Sequence, residues 1–319
     1  MADLYDFILE AHPWAFQLWF FLMGGCVGSF LNVCIYRIPA GKSIVFPGSH
    51  CACGAPIAWY DNIPVLSWMI LRGKARCCGR SFSIRYPMIE LLTAVLFLLL
   101  WTWLPPQQAL PGMLFFSLLI AASFIDLDHM ILPDVFTIGG MIAGVILAML
   151  VPGLHAIEPS GIGLLDSLRA GMVAILGVII GSGVILWMMV LAETILRKEA
   201  MGFGDVVFMG CIGAFCGWQG ALFAIFGGAL FGTIVVLPLM LIQKLKKRPN
   251  EPKEKSSENQ DTSPDGENGP ALGLGSAIPF GPWLALGAAV YFLLLRGPVD
   301  AYLADLVAVF SAGPIDFVP

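Results

Sequence analysis

Long apolar stretches alternate with short polar ones along this chain. About 20 consecutive apolar residues cross a bilayer as a helix. The pattern predicts seven or eight such helices, near 14–36, 88–104, 110–126, 134–152, 170–196, 203–217, 219–243 and 279–296. The sixth is short for a full crossing. The final stretch, "DAYLADLVAVFSAG", is amphipathic and has no assigned place. The predicted class is an all-α polytopic membrane protein with a small cysteine-containing module outside the bilayer.

Composition agrees. Of 319 residues, 58% are hydrophobic and 12% charged, against about a quarter charged in soluble domains. The first residues are acidic and lack the basic start of a cleavable signal peptide, so the first apolar run reads as a retained helix. Lys and Arg set the orientation. They gather after the first run (Arg37, Lys42, Arg72, Lys74, Arg76, Arg80, Arg85), after the fifth (Arg197, Lys198) and after the seventh (Lys244, Lys246, Lys247, Arg248). These segments are read as cytoplasmic, with the N-terminus outside. The expected parts are a first helix (1–37), a cytoplasmic cysteine module (38–87), a transmembrane core (88–244), a linker (245–275) and a last helix with its tail (276–319). The linker is polar and rich in Pro and Gly, a composition too poor in apolar groups to form a core.

Carboxylates inside such a chain need a reason. "AMGFGDVVFMGCIGAF" (200–215) carries one charge, Asp205, at the cytoplasmic start of the sixth run. "FIDLDHMILPD" carries Asp126, Asp128 and Asp134 where the third run ends. Asp126 directly follows an unbroken apolar helix and is the deepest of the three. Asp134, after Pro133, suits an N-cap of the fourth helix. Ionisable groups within membrane segments usually face the bundle interior and serve function. Two carboxylates at one depth on different helices suit aspartyl protease chemistry. Close carboxylates share one proton, so one can take a proton from water while the other polarises a carbonyl. Gly202 and Gly204 would let another element approach closely beside Asp205. Two other readings stay open from position alone: interfacial helix-capping aspartates, and a proton-coupled carrier or channel. A carrier should show related halves or helices broken at the midplane, and the sequence has neither.

Several segments, in order, resemble the type IV prepilin peptidases, which also process type II secretion pseudopilins. They are "GCVGSFLNVCIYRIP", "WYDNIPVLSWMILRGKARCCGRSFSIRYPMIELL", "IDLDHMILPD", "MGFGDVV" and "IPFGPWLALGA". The resemblance implies a bifunctional inner-membrane enzyme of the Gly-x-Gly-Asp aspartyl type. Such an enzyme cleaves the basic leader of a prepilin or pseudopilin on the cytoplasmic side. It then methylates the new N-terminal amine with S-adenosylmethionine. By motif position the catalytic pair falls on Asp126 and Asp205. The implied partners are prepilins and the lipid bilayer, with no nucleic acid; oligomeric state is not legible. The family often has Lys two residues after the second aspartate, where this chain has Val207.

Cys26, Cys34, Cys211 and Cys216 fall in predicted helices and read as small buried apolar residues. Cys51, Cys53, Cys77 and Cys78 fall in the module, where a reducing compartment favours thiols or metal over disulfides. Four clustered thiols suggest tetrahedral zinc, with His50 as an alternative ligand. The spacing, "HCACG" and "RCCG", departs from the family's two Cys-x-x-Cys pairs, and adjacent cysteines do not easily reach one ion. The alternative is four reduced thiols in a module held by its apolar residues. No Gly-rich nucleoside-binding unit marks a methyl-donor site; "ALGLG" (271–275) lies in the linker and has no such context. Asp61, Asn62 and Arg85 are the module's polar candidates for that role, with turn and capping roles as the alternative.

Overall fold

The computed structural model describes residues 13–51, 53–157, 159–197, 201–246 and 279–311. The linker from 247 to 275, with its "ALGLG" segment, and the first twelve residues lie outside the described residues. Nine α-helices are present among the described residues: α1 (Pro13–Arg37), α2 (Leu66–Leu71), α3 (Arg85–Trp103), α4 (Pro106–His129), α5 (Asp134–Leu150), α6 (Gly163–Leu196), α7 (Phe203–Lys246), α8 (Gly281–Val290) and α9 (Arg296–Ser311). A π-helical turn, Tyr291–Leu295, joins the last two. Among the described residues, six helical stretches are long and apolar enough to cross a membrane, and α5, at 17 residues, falls just short.

The 44-residue α7 is not one rod. Gly217 breaks it with φ 71° and ψ −179°, a conformation open to glycine and strained for other residues. The chain reverses there. A β-carbon placed on Gly181 of α6 would lie 2.8 Å from the Met209 carbonyl oxygen and 3.1 Å from Ala221 Cβ. Twelve residues along a straight helix are about 18 Å apart, so the two halves of α7 run side by side. The sixth and seventh predicted helices are therefore the two arms of α7, divided where the sequence reading divides them. With the α8–α9 stretch this gives eight long apolar helical segments among the described residues.

Other boundaries shift. The fifth helix starts at Gly163, ahead of the expected 170, and Asp166 accepts hydrogen bonds from the Ser160 amide (3.1 Å) and hydroxyl (2.6 Å). Residues 300–311 of the unplaced tail continue α9. Asp134 is the first residue of α5, not its N-cap; Pro133 holds that position.

The short first arm of α7 is the centre of the bundle. Phe208, Met209, Cys211, Ile212, Ala214 and Phe215 are fully buried. Small residues permit this packing: Gly177 of α6 and Gly213 of α7 meet backbone to backbone. Phe115 of α4 stacks on Phe215 with centroids 4.7 Å apart, and Phe292 of the π-turn closes the cluster. Three of the four helical cysteines are buried as expected. Cys26 is exposed, on an outer face of α1.

Candidate active site

Asp126 sits in the last turn of α4, where its carbonyl accepts the Met130 amide at 2.9 Å and Met130 turns left-handed to end the helix. Asp205 is the third residue of α7, and its amide donates to the Gly202 carbonyl at 3.1 Å, closing the first turn. Both side chains are buried, at 6% and 8% exposure, and the two carboxyl groups lie within electrostatic reach of each other. A helix C-terminus and a helix N-terminus thus bring two acids together at one end of the bundle.

A third element completes the site. The Gly281 amide, at the start of α8, donates to Asp126 Oδ2 at 3.1 Å. A β-carbon on Gly281 would stand 2.6 Å from that oxygen. Leu132 packs in the same place, 3.1 Å from a β-carbon on Gly204 and 3.5 Å from one on Gly281. Gly204 is therefore a close-approach glycine, as the sequence suggests. Gly202 is not: a β-carbon there would find nothing nearer than the Gly204 amide at 4.0 Å. Its visible contribution is the carbonyl that accepts Asp205.

Asp128 is engaged elsewhere. Arg85 Nη1, at the start of α3, donates to Asp128 Oδ1 at 2.7 Å. Its Nη2 donates to the Phe124 carbonyl at 3.3 Å, and its guanidinium lies over the Phe124 ring at 4.9 Å. A cation there also suits the negative end of the α4 dipole. Arg85 thus ties the module's exit to the turn that carries Asp126. Asp61 is bound by Arg76 through two nitrogens, at 2.8 and 2.9 Å. That guanidinium holds the Asp61 carboxyl below its ordinary range. Asn62 follows it, exposed, in the 3₁₀ turn Trp59–Asn62. The structure brings neither Asp61 nor Asn62 to the aspartate pair.

The four module cysteines meet. Their sulfurs all lie within 4.8 Å of one another, with Cys51–Cys78 at 3.6 Å and Cys53–Cys77 at 3.4 Å. Tetrahedral zinc with Zn–S near 2.3 Å requires S–S edges of about 3.8 Å, so the set fits the ion. Two tight turns achieve this despite the short spacing. Gly54 (φ 87°) closes one, with its amide on the Cys51 carbonyl at 2.8 Å; Gly79 (φ 68°) closes the other, on Ala75 at 2.8 Å. Cys51 is drawn down to about 7, first by the Cys53 backbone and then by the Cys77 and Cys78 thiols. His50 stands outside the group, its Nδ1 3.0 Å from the Gly48 carbonyl.

Two family models match the chain: the bacterial peptidase A24 N-terminal domain over residues 22–104, and the type IV leader peptidase family over 113–237. The prepilin leader peptidase/N-methyltransferase of Myxococcus xanthus is 34% identical, over 89% of this chain and 91% of its own length. The chain belongs to the type IV leader peptidase family. A type 4 prepilin-like leader peptide-processing enzyme of Escherichia coli is 37% identical over 67% of this chain and 81% of its own, and the Pectobacterium carotovorum prepilin leader peptidase/N-methyltransferase is 29% identical over 88% and 95%. No solved structure matches. In this family member, Gly281 is the site residue that sequence reasoning passed over. The segment "IPFGPWLALGA" carries the resemblance, yet a backbone amide has no signature of its own. The one available signal was a glycine directly before proline at a helix start.

Proposed function

We propose that this leader peptidase cleaves the leader of type IV prepilins or type II secretion pseudopilins and then methylates the new N-terminal amine. The observation that carries the peptidase half is the buried pair Asp126 and Asp205, met from α8 by the Gly281 amide. One carboxyl is ionised and one protonated. The ionised partner removes a proton from water, whose oxygen bonds to the scissile carbonyl carbon. The protonated partner hydrogen-bonds the carbonyl oxygen. On collapse the C–N bond breaks and the leaving amine takes a proton from the pair. Gly281 holds one oxygen of Asp126, which leaves the other to meet the reactants.

The positive residues around the module and the three basic segments favour a cytoplasmic active site in the inner membrane, with the N-terminus outside. The substrate reaches it sideways from the bilayer. A proton-coupled carrier on the same acids has no support: the relatives are named as peptidases, and the acids gather at one end of the bundle.

Zinc held by Cys51, Cys53, Cys77 and Cys78 would be structural, cross-linking two turns of a module with little core. S-adenosylmethionine, when bound, supplies the methyl group. Asp61, Asn62 and Arg85 remain the candidates for its site, and the ion pairs of Asp61 and Arg85 also fit scaffolding roles. The test is cleavage of a membrane-inserted prepilin, followed by gel mobility. Asp126→Asn and Asp205→Asn each abolish it, while Asp128→Asn keeps substantial activity. Full activity in Asp205→Asn at matched expression would sink the assignment.

A further inference from the structure

Residues 62–71, "NIPVLSWMIL", carry no charge and sit between Asp61 and Arg72. They are too few to span a bilayer, and their length suits a re-entrant or interfacial segment. The sequence reading places them in the cytoplasmic module. Their contacts place them deeper.

The level can be read from the helices beside them. Asn32 of α1 donates to the Tyr86 carbonyl of α3 at 3.1 Å, and the neighbouring Arg85 pairs with Asp128 of α4. These contacts mark one level near the catalytic end. Further in, Gly28 packs on Glu90 and Gly24 on Ala94, where β-carbons would stand 2.7 and 2.8 Å from the opposing Cα atoms. The segment joins at this inner level. Pro64 Cβ lies 3.4 Å from a β-carbon on Gly25, and Glu90 Oε2 accepts the Val65 amide at 2.7 Å. Five residues of helix, from Arg85 to Glu90, cover about 7 Å. Asp126 is two residues inside Asp128, or about 3 Å. The tip of the segment, Pro64 and Val65, therefore descends past the level of Asp126.

We propose that Ile63–Leu71 is a re-entrant foot that rests in lipid, with the acyl chains as its partner. Three observations agree. First, Leu66, Met69 and Ile70, one face of α2 by their spacing, are 55%, 62% and 73% exposed, while Ser67 on the other side is buried and donates to the Tyr60 carbonyl at 3.1 Å. Second, the backbone is satisfied internally, as lipid demands. Val65 donates to Glu90, Leu66 to Pro64, Ser67 to Ile63 and Met69 to Val65. Glu90 thus serves a donor that the left-handed Val65 (φ 62°) would otherwise leave bare. Third, the flanks suit a headgroup layer. Trp59 and Tyr60 precede the foot and are exposed, and Arg72, Lys74, Arg76 and Arg80 follow it. Amphipathic aromatics and basic groups are the residues that anionic phospholipid surfaces attract.

The test uses the full chain in nanodiscs of anionic lipid with brominated or plain acyl chains. Ile70→Trp and, as a second position on the same face, Met69→Trp are compared with the parent, with elution position as the folding check. The emission added at either position is about twofold or more lower in brominated lipid and blue-shifted, as for an indole in the acyl region. Lys74→Trp, beyond the foot, is unaffected by bromination. Added emission that is insensitive to bromination but quenched by aqueous iodide would overturn the proposal and leave a face for a soluble partner. Emission insensitive to bromination that shifts only when prepilin is added would overturn it in favour of a substrate surface.

Discussion

Gly281→Ala isolates the part played by α8. The added β-carbon would stand 2.6 Å from Asp126 Oδ2, well inside contact distance. Gly281 has ordinary helical backbone and lies at the first turn of α8, so alanine is tolerated there. The atom that must yield is the tip of a side chain, not backbone. The fold therefore survives while the Asp126 carboxyl is pushed by several tenths of an ångström and its 3.1 Å bond to the amide is stretched. A hydrogen bond to a charged acceptor contributes about 1.5–3 kcal/mol, and a misplacement near 1 Å costs on the order of a hundredfold in rate. Gly281→Ala should lower kcat about 10–100-fold with KM little changed. The assay is single-turnover cleavage of a prepilin in detergent, alongside a thermal melt. Wild-type kcat in folded Gly281→Ala would refute the idea that the α8 amide positions a reacting carboxyl on Asp126.

Three further outcomes follow from the structure. Purified protein should hold about one zinc per chain; Cys53→Ser with Cys77→Ser should release it, and acidification should too, because thiolate ligands are lost as protons rebind. Elemental analysis decides this. Asp205→Asn should still methylate a precleaved pilin peptide from labelled S-adenosylmethionine, because methyl transfer requires alignment and not a carboxylate pair; joint loss of both activities in folded protein would place them in one site. Gly177→Ala should destabilise the bundle by about 1–3 kcal/mol, read as a lowered melting temperature, since its β-carbon would strike the Gly213 backbone, which cannot swing away.

What the sequence made legible was decided by local pattern. Asp126 was separable from Asp128 because one follows an unbroken apolar helix and the other falls where the turn begins. The structure agrees, burying the first and pairing the second with Arg85. The reversal inside α7 was legible as two apolar runs meeting at Gly217. The contribution of Gly281 was not, because it is a backbone amide reaching a carboxylate 155 residues away. The cysteine spacing suggested poor convergence, yet two glycines with positive φ turn the sulfurs inward. Residues 62–71 read as part of the cytoplasmic module because they are too short to register as a membrane helix. Only their contacts with Gly25 and Glu90 give their depth.

The reversal at Gly217 leaves the first arm of α7, Phe203–Cys216, with 14 residues, or about 21 Å, in a hydrocarbon layer of about 30 Å. A central helix that stops short leaves a gap between itself and the far surface. Here the gap is stoppered. The turn Pro152–His155 folds inward beneath the break, with Leu154 fully buried. His155 Nδ1 lies 3.8 Å from a β-carbon on Gly217, and Gln108 Nε2 of α4 donates to the Gly153 carbonyl at 3.4 Å. The inturned loop thus fills, with a buried leucine and hydrogen-bonded polar groups, the depth that the short arm leaves open.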